Sequence, residues 1–234
     1  MKKIIVFALV VALCVPVLAS CKLLDTFKNP LKDVTEMYSM SDPTKVEATV
    51  KHEIGSTVLN NSYKLIIGTV DGSRASVYVE HKEELDSVEN GGATEVVQPL
   101  VKQTDTITEA IEGTGSRTTL NGKTGSWDPD GNVYTIGRGR MALNLTKKLV
   151  ENVTYEDHVL NCTVPAGNAG AVLGEDYATY ISGDVSITIE DDGAMITYIK
   201  LVYKLAADAS KNLPESTMTV EVNYSYDIEQ INIG

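Results

Sequence analysis

Residues 218–228 read Met-Thr-Val-Glu-Val-Asn-Tyr-Ser-Tyr-Asp-Ile, and every second side chain is apolar or aromatic. Met218, Val220, Val222, Tyr224, Tyr226 and Ile228 alternate without error with Thr219, Glu221, Asn223, Ser225 and Asp227. Successive side chains of a strand point to opposite faces, so this period of two predicts a β-strand with one dry and one wet face. The same pattern stands upstream, where Val185, Ile187 and Ile189 alternate with Ser186, Thr188 and Glu190. Asp192-Gly193 supplies a turn, and Met195 to Leu205 returns as a long strand. These runs predict a wide antiparallel sheet that buries one face.

Nearer the N-terminus the period is again two. Val46, Ala48, Val50, His52 and Ile54 alternate with Lys45, Glu47, Thr49, Lys51 and Glu53. Ser62 to Val70 and Arg74 to His81 flank Asp71-Gly72, a dipeptide that tolerates the positive φ angles of a tight hairpin turn. Three antiparallel strands are therefore expected to open the domain. Before them, Asn29-Pro30 is a helix start, and Leu31, Val34, Met37 and Tyr38 follow at helical spacing until Asp42-Pro43.

The middle of the chain is harder to read. Residues 83–116 show no clean period, and Glu83-Glu84 reads as a solvated run. Asn121-Gly122 and Asp130-Gly131 suggest turns of a second, smaller meander. Met141 to Val153 is read as a helix, because Ala142, Leu145, Leu149 and Val153 form one stripe. Val159 to Val164 reads as a strand, and Asn168 to Gly174 as one or two helical turns closed by glycine.

The first 21 residues determine where this domain is expected to work. Lys2 and Lys3 precede an apolar run from Ile4 to Val17, and Leu18-Ala19-Ser20 precedes Cys21, the layout of a signal peptide. The apolar run is shorter than the roughly 20 residues that span a bilayer. Ala19-Ser20-Cys21 resembles the lipobox of bacterial lipoproteins, which implies cleavage before Cys21 and its lipidation. The expected division is a leader over 1–20, a tether over 21–29 and one domain over 30–234. The product is then exported and lipid-anchored to the outer side of a bacterial membrane.

Charge and composition narrow the function further. The chain of 234 residues carries a formal charge of −12, and loss of Lys2 and Lys3 makes it −14. That balance opposes nucleic acid and anionic headgroups, so membrane contact is expected to come from the lipid anchor. With Cys14 in the leader and Cys21 modified, Cys162 stands alone and reads as a small apolar core residue. Gly137-Arg-Gly-Arg-Met-Ala142 imitates a dinucleotide fingerprint, but no βαβ alternation surrounds it. Asp128, Asp130 and Asn132 imitate a calcium loop whose twelfth position is Gly139 instead of a glutamate, so a turn is expected. His52, His81 and His158 form no metal-ligand spacing, and His52 reads as a core histidine. No catalytic motif, metal or cofactor is expected, and the chain is not expected to be an enzyme.

A lipobox, a tether, a short helix, a three-strand meander, a middle with helices and a terminal meander together resemble the LolA-like fold. The likeness is carried by TKVEATVKHEIG, VPAGNAGAVLG, GDVSITIEDDGAMITYIKLVYKL and TMTVEVNYSYDIEQI, and is strongest toward exported lipoproteins of the LppX and LprG type. The resemblance implies an α+β fold: a curved antiparallel half-barrel with helices packed on its concave side, around an apolar cavity for acyl chains. It implies walls formed by Val46, Val50, Leu65, Ile67, Val77, Val79, Ile187, Ile189, Val220, Val222 and Tyr224, all of which are equally suited to a dry core. The expected function is a lipid or acyl-chain carrier without covalent chemistry. The alternative is an envelope sensor that binds a partner protein through an exposed apolar or aromatic patch, with tyrosines near Tyr177, Tyr180, Tyr198 and Tyr203 as one source.

Overall fold

The structure, a computed structural model, describes residues 29–40, 42–85, 101–134, 143–174, 180–207, 214–227, 229–231 and 233. The leader, Cys21, the tether up to residue 28 and the Gly137–Ala142 motif lie outside the described residues. The chain starts with helix α1 (Pro30–Met40), where the Asn29 carbonyl accepts from the amides of Lys32 and Asp33. Strands β1 (Lys45–Ile54), β2 (Thr57–Val70) and β3 (Ser73–Leu85) form the opening meander. Asp71 and Gly72 both adopt positive φ, +48° and +83°, as the hairpin dipeptide requires.

Strands β4 (Val101–Ile111), β5 (Gly115–Leu120) and β6 (Lys123–Thr124) continue from β3. Strands β7 (Glu151–Glu156) and β8 (Val159–Val164) then lead through a 3₁₀ turn, Ala166–Asn168, into helix α2 (Ala169–Leu173), which ends at Gly174 with φ +106°. Strands β9 (Val185–Asp191), β10 (Ile196–Leu205), β11 (Ser216–Ser225) and β12 (Glu229–Gln230) complete the described chain. One sheet holds them in the order β6-β5-β4-β3-β2-β1-β11-β10-β9-β8-β7. Its neighbours on this path pair antiparallel, and β12 runs parallel to β2 beyond the start of β1.

This architecture corrects the expected α+β half-barrel. The described chain is mostly β, with one large sheet and two short helices, and it is not a sheet whose concave side is packed with helices. Two stretches account for the difference. The region around 101–124 builds strands of the same sheet, so among the described residues the expected second meander is a continuation of the first. The described part of the expected 141–153 helix is irregular up to Val150 and then enters β7. Leu149 and Val150 both donate to the Thr146 carbonyl, closing one turn, and Asn152 takes φ +53°, which a right-handed helix excludes.

Register assigns every strand residue to a face. Tyr224, Val46 and Leu65 are cross-strand partners, as are Val222, Ala48 and Tyr63, and these rows lie on the dry side. Leu31 and Val34 of α1, Leu145, Val150, and Ala169 and Val172 of α2 are buried in one core cluster with the dry-side residues of β8–β11 and Val46. Burying each such Leu or Val contributes about 1.5–3 kcal/mol. Cys162 belongs to this core, and burial pushes its thiol up to about 11. The wet face carries charge ladders, including Lys45 and Lys64 on Glu47, and Lys200 with the Tyr198 hydroxyl on Glu221.

Candidate ligand-binding face

On the dry side of β1, β2 and β11, burial is incomplete in a patch that spans three rows. In the row Leu201–Val220–Val50–Asn61, Leu201 is buried whereas Val220, Val50 and Asn61 are half-exposed. In the row Tyr203–Met218–His52–Leu59, the two outer residues are buried and Met218 and His52 are half-exposed. Ala48 and Tyr63 extend the patch to a third row, next to buried Val222. Buried Tyr224, Val46 and Leu65 bound it on one side, and buried Ser216 and Ile54 on the other. The patch is apolar at Ala48, Val50, Met218 and Val220, and polar at its margin.

Two polar devices mark that margin. His52 Nε2 lies 2.8 Å from Ser216 Oγ, and burial holds the imidazole below its ordinary range, so it is neutral at pH 7. Beside it the sheet forks. Backbone pairing of β2 with β3 stops at Ser62–His81, although β1 accompanies β2 to Thr57 and β4 accompanies β3 to Leu85. Side chains bridge the gap: the Asn60 amide donates to Glu83 Oε2 at 2.6 Å and the Glu83 amide to Asn61 Oδ1 at 2.6 Å. Gln103 also donates to Glu83, whose carboxyl is held below the usual range first by the Asn60 amide. Glu83 therefore joins two strands and is not a free solvated charge.

The sequence-derived wall residues divide into three groups. Val50 and Val220 lie in the patch; Val46, Leu65, Ile67, Val222, Tyr224, Ile187 and Ile189 are buried on the same face, the two isoleucines at 1% exposure. Val77 and Val79 are on the opposite face, because their neighbour Tyr78 is the partner of Leu65. The tyrosines do not form a common patch: Tyr203 is buried on the dry side, Tyr198 binds Glu221 on the wet side, and Tyr180 is exposed. Tyr177 lies outside the described residues.

The sequence reading missed a further cluster. The Asp191 carboxylate is fully buried and accepts from Tyr155 OH, His158 Nδ1 and the Gly193 amide, each at 2.8 Å. Burial, then the bond to Asp191, pushes the Tyr155 hydroxyl up to about 12. The signal was present in the alternation Val185, Ile187, Ile189, Asp191, which places the carboxylate on the apolar face; the following Asp-Gly dipeptide drew it into a turn. His158 Nδ1 is thereby committed, and no nucleophile joins the three groups in their hydrogen bonds. The Asp128–Gly131 segment is a turn, as expected: Asp128 pairs through its backbone with Ser116, and its carboxylate accepts from the Asp130 amide. Among the described residues no three His, Cys, Asp or Glu side chains cluster as metal ligands, and no helix is long and apolar enough to cross a membrane.

No protein-family model matches the sequence, and no curated protein matches it. A crystal structure of a DUF1329 family protein from Desulfovibrio piger is similar at 11% sequence identity, covering 86% of this chain and 92% of that chain. Its TM-score is 0.27, too loose a superposition to establish a common fold.

Proposed function

We propose that this protein is an exported, lipid-anchored envelope protein that holds an acyl-chain ligand against its dry face by burial alone. The observation that carries the reading is the half-covered patch around Ala48, Val50, Met218 and Val220, bordered by buried residues of the same face. An apolar patch bordered by buried rows on two sides and by polar groups along β2 and β3 gains by being covered. Ten buried methylenes contribute about 8 kcal/mol before ordering costs, so acyl chains suffice as occupants without catalytic groups. The lipobox-like Ala19-Ser20-Cys21 supports placement at a membrane, where such chains are available.

A second reading has its own support. Val58, Val101 and Ile107 are exposed at 38–41% on the wet face, and a partner protein covering them is the alternative occupant of this molecule. Native mass spectrometry of the chain from residue 22 on, purified without detergent, separates the two. A discrete adduct of lipid mass that organic extraction removes is the expected result. A bare mass that stays bare when diacyl lipids are offered overturns the lipid reading and directs the search to a protein.

A further inference from the structure

The patch is apolar along Val50 and Val220; the next row pairs Met218 with His52, whose ring reaches diagonally to Ser216, one row further on opposite Ile54, and there the patch ends. The geometry points to this end as the subsite for an uncharged hydrogen-bonding head group, so that the ligand is a neutral amphiphile such as a monoacylglycerol and not a free fatty acid. This rests on the acyl-chain reading above and deepens it.

The two side chains share one hydrogen bond, and His52 makes no other among the described residues. A neutral imidazole has one N–H and one bare nitrogen. If Nε2 accepts from the Ser216 hydroxyl, Nδ1–H is left to donate; if Nε2–H donates, Nδ1 is left to accept. A hydroxyl satisfies either tautomer, whereas a carboxylate only accepts. A carboxylate would best be met by a charged imidazole, and burial opposes that charge. The nearest register row offers Lys82, but that ammonium is paired with Glu84 on its own strand. The formal charge of −12 also disfavours an anionic head.

The test uses the mature chain carrying Cys21→Ser, so that no acyl anchor of its own competes. Calorimetric titration at pH 7.5 with monopalmitoylglycerol and with palmitate, each below its micellar concentration, compares two heads on one chain. The expected result is monopalmitoylglycerol bound about tenfold more tightly, the scale of one buried hydrogen-bonding group left unpaired by the wrong head. His52→Phe keeps the ring and removes the hydrogen bond, and it should erase the preference. Ser216→Ala, which preserves the backbone, should reduce it and serves if His52→Phe fails to fold. Palmitate bound as tightly as the glyceride, or a preference unchanged in both variants, overturns the head-group assignment while the acyl-chain reading stands. Binding of neither amphiphile, with a bare native mass, removes both.

Discussion

His81 shows how a single residue of this sheet responds to pH. Its Nδ1 is 2.6 Å from Asp105 Oδ1 on β4, its register partner, and its Nε2 is 3.7 Å from Glu83 Oε1. The hydrogen bond to Asp105 leads the causes that raise its pKa above 6.5. A raised folded pKa means that the folded state binds the proton more tightly than the unfolded state. The stabilisation is fully present below the unfolded value and is lost as pH rises through the folded one. Glu83 shifts the other way, so its contribution stands above 4.5 and is lost only toward acid. Between pH 5.5 and pH 8.5 His52, whose pKa burial lowers, moves stability the opposite way, but it does so alike in the native chain and in His81→Gln. The difference between the two therefore belongs to His81. Urea midpoints of the native chain should exceed those of His81→Gln at pH 5.5, and the gap should close at pH 8.5. About 1 M salt should shrink the acid-side gap. A gap of equal size at both pH values would assign His81 a packing role in place of a charged one.

At the scale of the element, β5 meets the strap that follows β6, residues 125–134, through the Ser116–Asp128 backbone pair, and Gly115 makes that approach possible. Gly115 has φ +110°, and a Cβ built on it would sit 2.0 Å from the Asp128 carbonyl oxygen, a backbone atom that cannot rotate away. Gly113, two residues earlier in the same turn, also has positive φ but faces open space. Gly113→Ala should therefore lose only the conformational penalty of about 1–2 kcal/mol. Gly115→Ala should lose on the order of 2–4 kcal/mol, from strain and overpacking together. Trp127, the sole tryptophan, lies with its ring 5.2 Å from the Arg117 guanidinium and reports on the strap directly. Its emission should shift in Gly115→Ala and stay unchanged in Gly113→Ala. Equal losses in the two variants would mean that the strap yields without cost.

Elements were legible where chemistry and register agree. In β9 and β11 the apolar residues are those that face the core, so period two could be read directly, whereas β10 also carries Tyr198 and Val202 on its wet side. In β4 the dry side holds Thr106, Thr108 and Ala110, while Ile107 is on the wet side and exposed. Hydroxyls inside and an isoleucine outside hide the alternation. The stretch 141–153 misled through spacing: Leu145 and Leu149 match a helix, but the buried residues are Leu145 and Val150, five apart, and the left-handed Asn152 turns the chain into β7. The candidate site was half legible for the same reason. Val50 and Val220 follow from alternation, whereas the His52–Ser216 pair joins residues 164 apart in sequence and has no local signature.

Across the whole molecule, one hydrogen-bonded sheet has two unequal halves. β8–β11 bury Leu160, Val185, Ile187, Ile189 and Ile199 at 0–1% exposure, under α1, α2 and the Leu145–Val150 segment. On β4 only Thr108 and Ala110 are buried, and β5 buries only Gly115. Ladder hydrogen bonds run through both halves and contribute similarly per residue, so the difference in stability must come from apolar burial. The fork also ends backbone pairing between β2 and β3 beyond Ser62–His81, leaving side chains to bridge that end of the junction. These features predict a boundary of cooperativity near β3. In native-state hydrogen exchange, amides of β8–β11 should exchange only by global unfolding, and those of β4 and β5 through a smaller opening of lower free energy. Low urea should leave the β4–β5 opening nearly unchanged if it exposes little surface, while global exchange accelerates with its full denaturant dependence. Glu83→Ala removes acceptors for the Asn60 amide and Gln103, so it should speed exchange in β4 and β5 and leave the slowest amides of β9 in place. A single exchange free energy shared by β4 and β9 would show instead that the continuous ladder, and not the cover above it, sets the unit that unfolds.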